Sequence, residues 1–124
     1  MAENIKMLVV DDDENTLITI SDLLAEDGYE VIVASSGEEA LEKVHTEKPA
    51  VALVDIRLPD MDGYEVCRRI KENEVLSTKV IMYTAYIDAV NVAKAREVGA
   101  DDFMGKTSDF SNLRRGVERL VKGR

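Results

Sequence analysis

The chain has no tryptophan, two phenylalanines and four tyrosines among its 124 residues, which leaves little with which to stack a flavin ring. It has one cysteine, Cys67, so no internal disulfide forms and a reducing compartment fits. Cations are short: 16 Lys and Arg stand against 25 Asp and Glu, for a net charge of −9. A bare acidic domain repels phosphate backbones, so direct nucleic-acid binding is disfavoured. No apolar run reaches about 18 residues, the length a membrane helix needs. The N-terminal MAENIK lacks the basic-then-apolar pattern of a leader, so no membrane segment is expected and the cytoplasm is the expected location. What is present is ample core material. Hydrophobic residues are 45% and charged residues 33% of the chain, enough for one domain spanning 1–124 with a single core. A domain of this size buries about two thirds of its unfolded surface and needs no staple.

Strands and helices alternate along the chain. Ile5 to Val10 is a short apolar run that stops at Asp11, Asp12 and Asp13. Leu17, Ile20 and Leu24 set a helical period from Asn15 to Asp27, and Gly28 stands where a left-handed cap belongs. Glu30 to Val33 is the second strand. Ser36 and Glu39 read as a capping box opening the next helix, and Pro49 closes the connection. Ala50 to Val54 is a third strand, followed at once by Asp55. Gly63, Val66, Cys67 and Ile70 mark a helix running to about Glu72. Lys79 to Tyr83 is the fourth strand, Asp88 to Val98 a helix ended by Gly99, Asp102 to Met104 a short fifth strand, and Asp109 to Val121 the last helix. Five apolar strands alternating with amphipathic helices predict an α/β fold, a doubly wound (βα)5 parallel sheet covered on both faces.

In such a sheet the carboxyl ends of the strands gather along one rim, and ligands bind where the strand order reverses. Asp11, Asp12 and Asp13 end the first strand, Asp55 the third and Thr84 the fourth, and Lys106 follows the fifth. Should the first and third strands be neighbours, their acids crowd together. Two like charges about 4 Å apart repel by about 4 kcal/mol at an effective dielectric of about 20, so a cation belongs among them. A proton, Lys106 or a hard divalent ion meets that need. Carboxylates, a carbonyl and waters suit Mg²⁺, whereas the absence of His and Cys from this rim argues against softer metals. A carboxylate, a hydroxyl and an ammonium around such an ion suit phosphoryl transfer, with Asp55 as nucleophile.

The segments LVVDDD (8–13), LVDIRLPDMDG (53–63), MYTA (82–85) and GADDFMGK (99–106) occur in order, each at a strand end. Together they make the chain resemble the receiver domain of two-component response regulators, the CheY-like superfamily, over essentially its whole length. The resemblance implies a flavodoxin-like strand order 2-1-3-4-5 and a phosphorylation-dependent switch that is a phosphoacceptor rather than an enzyme. It implies Asp55 as phosphoacceptor and Mg²⁺ held by Asp12, Asp55 and the backbone carbonyl of Arg57, with Asp11 holding the metal or its water. It further implies Lys106 on the phosphoryl group, and Thr84 and Phe103 as a coupled switch that remodels the face of helix four, strand five and helix five. Implied partners are a sensor histidine kinase or histidine phosphotransfer protein, docking near Asn15, Thr16, Thr19 and the Lys106 loop, and a downstream target or fused output domain. Helix four is rich in alanine (Ala89, Ala93, Ala95), which is compatible with movement.

The chain departs from the family pattern at three places. Thr107 follows Lys106 where proline is usual, so a trans peptide or a rebuilt loop is expected. Phe103 stands where many members have tyrosine. Arg57 and Tyr86 lie two residues beyond Asp55 and Thr84, placed to lean over the site and set the phosphoryl lifetime. Other residues read plainly: Asp13 as a helix N-cap, Cys67 as inert core, His45 as a solvated helix-end residue, and Arg68, Arg69 and Lys71 as helix-face charges. Arg114, Arg115, Arg119, Lys122 and Arg124 make the last helix basic, as a solvated face or a docking surface. Three other functions compete. A flavodoxin-like FMN carrier would need a Ser/Thr/Gly-rich cradle where this chain has Asp-Asp-Asp-Glu. An aspartyl-phosphate phosphatase would want an acid at the place of Arg57. A degenerate receiver would act as a phosphorylation-independent interaction module without the acid, hydroxyl and ammonium set that this chain keeps.

Overall fold

The computed structural model describes residues 5–85, 87–107 and 110–122. Its elements, in chain order, are β1 (Lys6–Val10), α1 (Glu14–Glu26), β2 (Glu30–Ala34), α2 (Gly37–Glu47), β3 (Val51–Asp55), α3 (Gly63–Glu72), β4 (Lys79–Thr84), α4 (Ala89–Glu97), β5 (Asp102–Gly105) and α5 (Ser111–Lys122). The five strands form one parallel sheet in the order β2-β1-β3-β4-β5. β1 and β3 are therefore neighbours, with Val10 beside Val54, and β3 lies against β4 with Asp55 beside Tyr83.

The alternation of side chains along each strand sorts the core into two layers. Leu8, Val10, Ala52, Val54, Val80 and Met82 meet α2, α3 and α4 through Ala40, Val44, Val66, Cys67, Ile70 and Ala95. Met7, Val9, Val51, Leu53, Ile81 and Tyr83 meet α1 and α5 through Ile20, Leu24, Leu113 and Val117. β3 is buried at every position, which is why its sequence is a continuous apolar run rather than an alternation.

The helix ends follow their sequence signals. The Asp13 carboxylate accepts from the Thr16 N–H at 3.1 Å, and Gly28 ends α1 at φ +94°. Ser36 caps α2 by accepting from the Glu39 N–H at 3.1 Å. Glu39 does not close the box onto Ser36; its carboxylate accepts from the Ser35 N–H at 2.8 Å, one residue earlier. Asp62 caps α3 and Asp88 caps α4. The predicted boundaries shift by a residue or two: β3 and β4 each run on to include Asp55 and Thr84, and α5 begins at Ser111. Cys67 is fully buried, and that burial pushes its thiol up to about 12, so it is inert core. His45 is exposed on α2, where its ring bonds Leu41 O at 2.8 Å and Asn73 Nδ2 at 3.1 Å. Arg68 and Arg69 pair with Glu65 along α3, and Lys71 pairs with Asp101 at 2.8 Å. On α5, Arg114 pairs with Asp27, Arg119 with Asp102, and Lys122 with Glu118. Arg124 lies outside the described residues.

Candidate functional site

The carboxyl ends of β1 and β3 carry the acids. Because the two strands are parallel neighbours, Asp11 and Asp12 just past Val10 reach the level of Asp55 just past Val54. Asp11, Asp12 and Asp55 each offer a carboxylate oxygen, and these oxygens lie within 4.8 Å of one another. Asp11 is 1% and Asp55 8% exposed, while Asp12 faces solvent. A buried pair of like charges needs a counter-charge, and the fifth strand brings one. Lys106 Nζ lies 3.2 Å from Asp11 and 3.4 Å from Asp55.

Burial and the neighbouring Asp11 charge push the Asp55 pKa up to about 6, against the opposing pull of Lys106 and the Arg57 N–H. Burial works to lower the pKa of Lys106, but the Asp55 and Asp11 charges outweigh it and hold the value above the ordinary 10.5. One ammonium thus compensates the acids only in part. Three hard oxygen donors, two of them sheltered and one open to water, fit a divalent cation with retained waters, which is the Mg²⁺ habit. When bound, Mg²⁺ would supply the remaining positive charge against the carboxylates and against anionic oxygens brought to them.

Asp11 was expected to hold the metal or its water, and its oxygens prove well occupied within the protein. Oδ2 accepts from the Tyr83 hydroxyl at 2.9 Å and from Lys106, and Oδ1 accepts from the Asp13 N–H at 2.9 Å. Thr84 ends β4 and is 9% exposed; with Ile56, Arg57, Tyr64, Asn91 and Lys94 it lines a cleft of about 460 Å³ beside the acids. Phe103 is not in that cluster. It is half-buried against the α2–α3–α4 side of the core and lines a cavity of about 260 Å³ with Ile87, Val92 and Ala95. Tyr86 lies outside the described residues.

Two loops hold the site. In the loop after β3, Gly63 N–H donates to Ile56 O at 2.6 Å, and a Cβ on Gly63 would stand 2.1 Å from Asp55 O. Only glycine allows that approach. Asp60, in the same loop, accepts from the first N–H groups of α2, Gly37 at 2.8 Å and Glu38 at 2.9 Å. In the loop after β5, the Lys106 N–H donates to Thr84 O at 2.8 Å and the Lys106–Thr107 peptide is trans, as the missing proline led us to expect. Asn112 braces this loop by donating to Gly105 O at 2.7 Å and meeting the Thr107 hydroxyl at 3.0 Å.

Asp60, Asn112 and Tyr83 were not singled out in the sequence. Asp60 and Asn112 carry no local signal, because their partners lie on other elements. Tyr83 carries a faint one: it is an aromatic with a polar tip, in register with Asp55 and therefore on the same face.

A parallel (βα)5 sheet with an acid pocket at its switch point and a lysine from the last strand defines a class: small α/β domains built around a strand-end aspartate. Comparison with known proteins makes this specific, since residues 7–118 match the response regulator receiver domain. The chain belongs to that family. It is 42% identical over 119 residues to the alkaline phosphatase synthesis transcriptional regulatory protein PhoP of Bacillus subtilis, covering 96% of this chain and 49% of that protein. It is 32% identical over 118 residues to sporulation initiation phosphotransferase F of the same organism, covering 95% of this chain and 94% of that protein. Among solved structures, the BeF3-activated DrrB receiver domain superposes with a TM-score of 0.86 at 37% identity, over 97% of this chain and 99% of that one. The response regulator TrrA of Thermotoga maritima in complex with Mg²⁺–BeF gives 0.84 at 32% identity, over 94% and 98%. The chain spans about half the length of PhoP and of several other transcriptional regulators it matches. Membership makes it a receiver domain of two-component signalling, and no helix among the described residues is long and apolar enough to cross a membrane.

Proposed function

We propose that residues 1–124 act as one phosphorylation switch in which Asp55 accepts a phosphoryl group from a phosphohistidine of a sensor kinase or phosphotransfer protein. The observation that carries this reading is the meeting of Asp11, Asp12 and Asp55 with Lys106 Nζ, 3.4 Å from Asp55, at the rim of the sheet. An Asp55 oxygen forms the new P–O bond as the donor's P–N bond breaks. Lys106 then turns from the carboxylate to the phosphoryl oxygens, and the Thr84 hydroxyl donates to them from the end of β4. Asp12, Asp55 and the Arg57 carbonyl would hold Mg²⁺, with Asp11 holding the metal or its water. The structure of TrrA in complex with Mg²⁺–BeF supports carrying this set over. Once Thr84 is drawn toward the phosphoryl group, Phe103 moves into the space left beside it, and the face of α4, β5 and α5 changes.

Partners follow from the same reading. The donor docks over α1 near Asn15, Thr16 and Thr19 and over the Lys106 loop. The altered face addresses a protein target or an attached output domain, and we place the domain in the cytoplasm with its donor. The net charge of −9 disfavours direct binding of this domain to nucleic acid.

The direct test is incubation with Mg²⁺ and acetyl phosphate followed by intact mass, with Asp55→Asn alongside. A gain of one phosphoryl group that vanishes in Asp55→Asn supports the switch. No gain and no Mg²⁺ binding would favour a degenerate receiver and remove the role given to Asp55.

A further inference from the structure

Tyr83 is the largest fully buried side chain of the core, yet its hydroxyl is not spent on the core. The residue sits on β4 in register with Asp55 on β3, and Asp11 follows the β1 strand beyond. From β4 to β1 is two interstrand spacings, about 9.6 Å. The Tyr83 side chain and its hydrogen bond together bridge that distance across β3, with the hydroxyl 2.9 Å from Asp11 Oδ2 and 3.1 Å from Val10 O. A phenol has one proton to give, and the charged acceptor takes it at the shorter distance. The ring serves a second neighbour: Lys106 Nζ stands over its face, 5.1 Å from the centroid.

We infer that Tyr83 is a positioning residue of the phosphoryl site, its hydroxyl fixing the Asp11 carboxylate for the metal and its ring seating the Lys106 ammonium. This rests on the proposed function of the pocket and adds to it a residue that touches neither metal nor phosphoryl group. The two halves of the side chain are separable. Removing the hydroxyl leaves Asp11 Oδ2 held by Lys106 alone, at the longer distance of 3.2 Å, while the ring under Lys106 stays. Removing the ring frees Lys106, which has no proline after it and is otherwise held by the two acids and by its loop. Loss of a hydrogen-bond partner behind a metal-binding side chain characteristically weakens metal affinity by about ten- to a hundredfold.

The test compares wild type, Tyr83→Phe, Tyr83→Leu and Val117→Ala, the last a plain truncation in the same core layer. Three quantities are measured: Mg²⁺ affinity by calorimetry, the rate of phosphorylation by acetyl phosphate at saturating Mg²⁺, and the proton shifts of the Lys106 side-chain methylenes by NMR. Wild type should show those methylenes shifted upfield by the ring. Tyr83→Phe should keep the shift and the saturated rate within about twofold while Mg²⁺ affinity falls about tenfold. Tyr83→Leu should lose the shift and lower the saturated rate as well. Val117→Ala should lower the thermal midpoint and leave all three where they are in wild type. Tyr83→Phe is nearly isosteric, so it decides the matter even where Tyr83→Leu does not fold. Equal Mg²⁺ affinity in Tyr83→Phe and wild type overturns the inference alone, as does an affinity loss of the same size in Val117→Ala. A wild type that binds no Mg²⁺ overturns the proposed function and this inference with it.

Discussion

Asp55 carries a carboxyl group whose folded-state pKa, about 6, stands above its ordinary 3.8 because it is buried beside Asp11. The folded protein therefore holds that proton more tightly than the unfolded chain does. Without metal, stability is intact below the unfolded value and is lost as pH rises through the folded one. At neutral pH in a chelator, Asp55→Asn should be the more stable protein by roughly 1–3 kcal/mol, a span that allows for the lost bond to Lys106. Denaturant titration checks this, and the advantage should vanish in acid. A variant no more stable than wild type at neutral pH would mean that Lys106 already neutralises the site. Arg57 is exposed and lines the cleft with Thr84. Arg57→Ala should change the decay rate of the phosphorylated protein by several-fold, roughly the effect of one group that excludes water from the reacting centre. Unchanged decay removes the role. The acids, Thr84 and Lys106 were legible in the sequence because each stands at the end of an apolar run. Tyr83 was not, since its partner is 72 positions away in the chain.

Among the elements, the loop from β3 to α3 is held closely by backbone contacts, and α4 is less buried than α3. Gly63 packs its α-carbon against the Asp55 carbonyl, where an added Cβ would stand 2.1 Å away from backbone. Gly63→Ala should cost roughly 1–3 kcal/mol despite alanine's better helix propensity, because backbone rather than a pliable side chain must yield. Mg²⁺ affinity should fall with it, since the same loop carries the Arg57 carbonyl. A stable variant with wild-type affinity would show that the loop shifts freely. α4 buries only Ala95, while α3 buries Gly63, Val66, Cys67 and Ile70. With Val90 exposed and so little of the helix buried, α4 offers little resistance to opening. Amide hydrogen exchange in α4 should run about tenfold or more ahead of α3, with comparable protection in both counting against α4 as the moving element. The alanine-rich sequence already suggested this, but only the burial of one face of α3 supplied the contrast.

For the whole molecule, three acids converge where a cation is wanted, so metal binding and stability are linked. Mg²⁺ at about a hundred times its Kd should stabilise the fold by about 2.7 kcal/mol. For a chain of this size that raises the thermal midpoint by roughly 10 °C. Asp12→Ala should abolish most of the rise, whereas an equal rise in that variant would place the cation elsewhere on the acidic surface. The same linkage explains why Lys106 alone does not silence the site: one ammonium stands among three carboxylates.

By itself the sequence determined the element order, the parallel sheet, the Asp13 and Ser36 caps and the strand-end residues of the pocket. Those features rest on local signals: apolar periodicity, capping side chains and glycines such as Gly28 at φ +94°. The tertiary structure decided everything that depends on which strands lie side by side. It put Asp11 next to Asp55, carried Lys106 between them, moved Phe103 to a cavity of its own, tied Asp60 to α2, and ran Tyr83 under the acids to Asp11. Contacts such as those of Asp60 and Tyr83 have little local signature, because they join residues that only the folding of the sheet brings within reach.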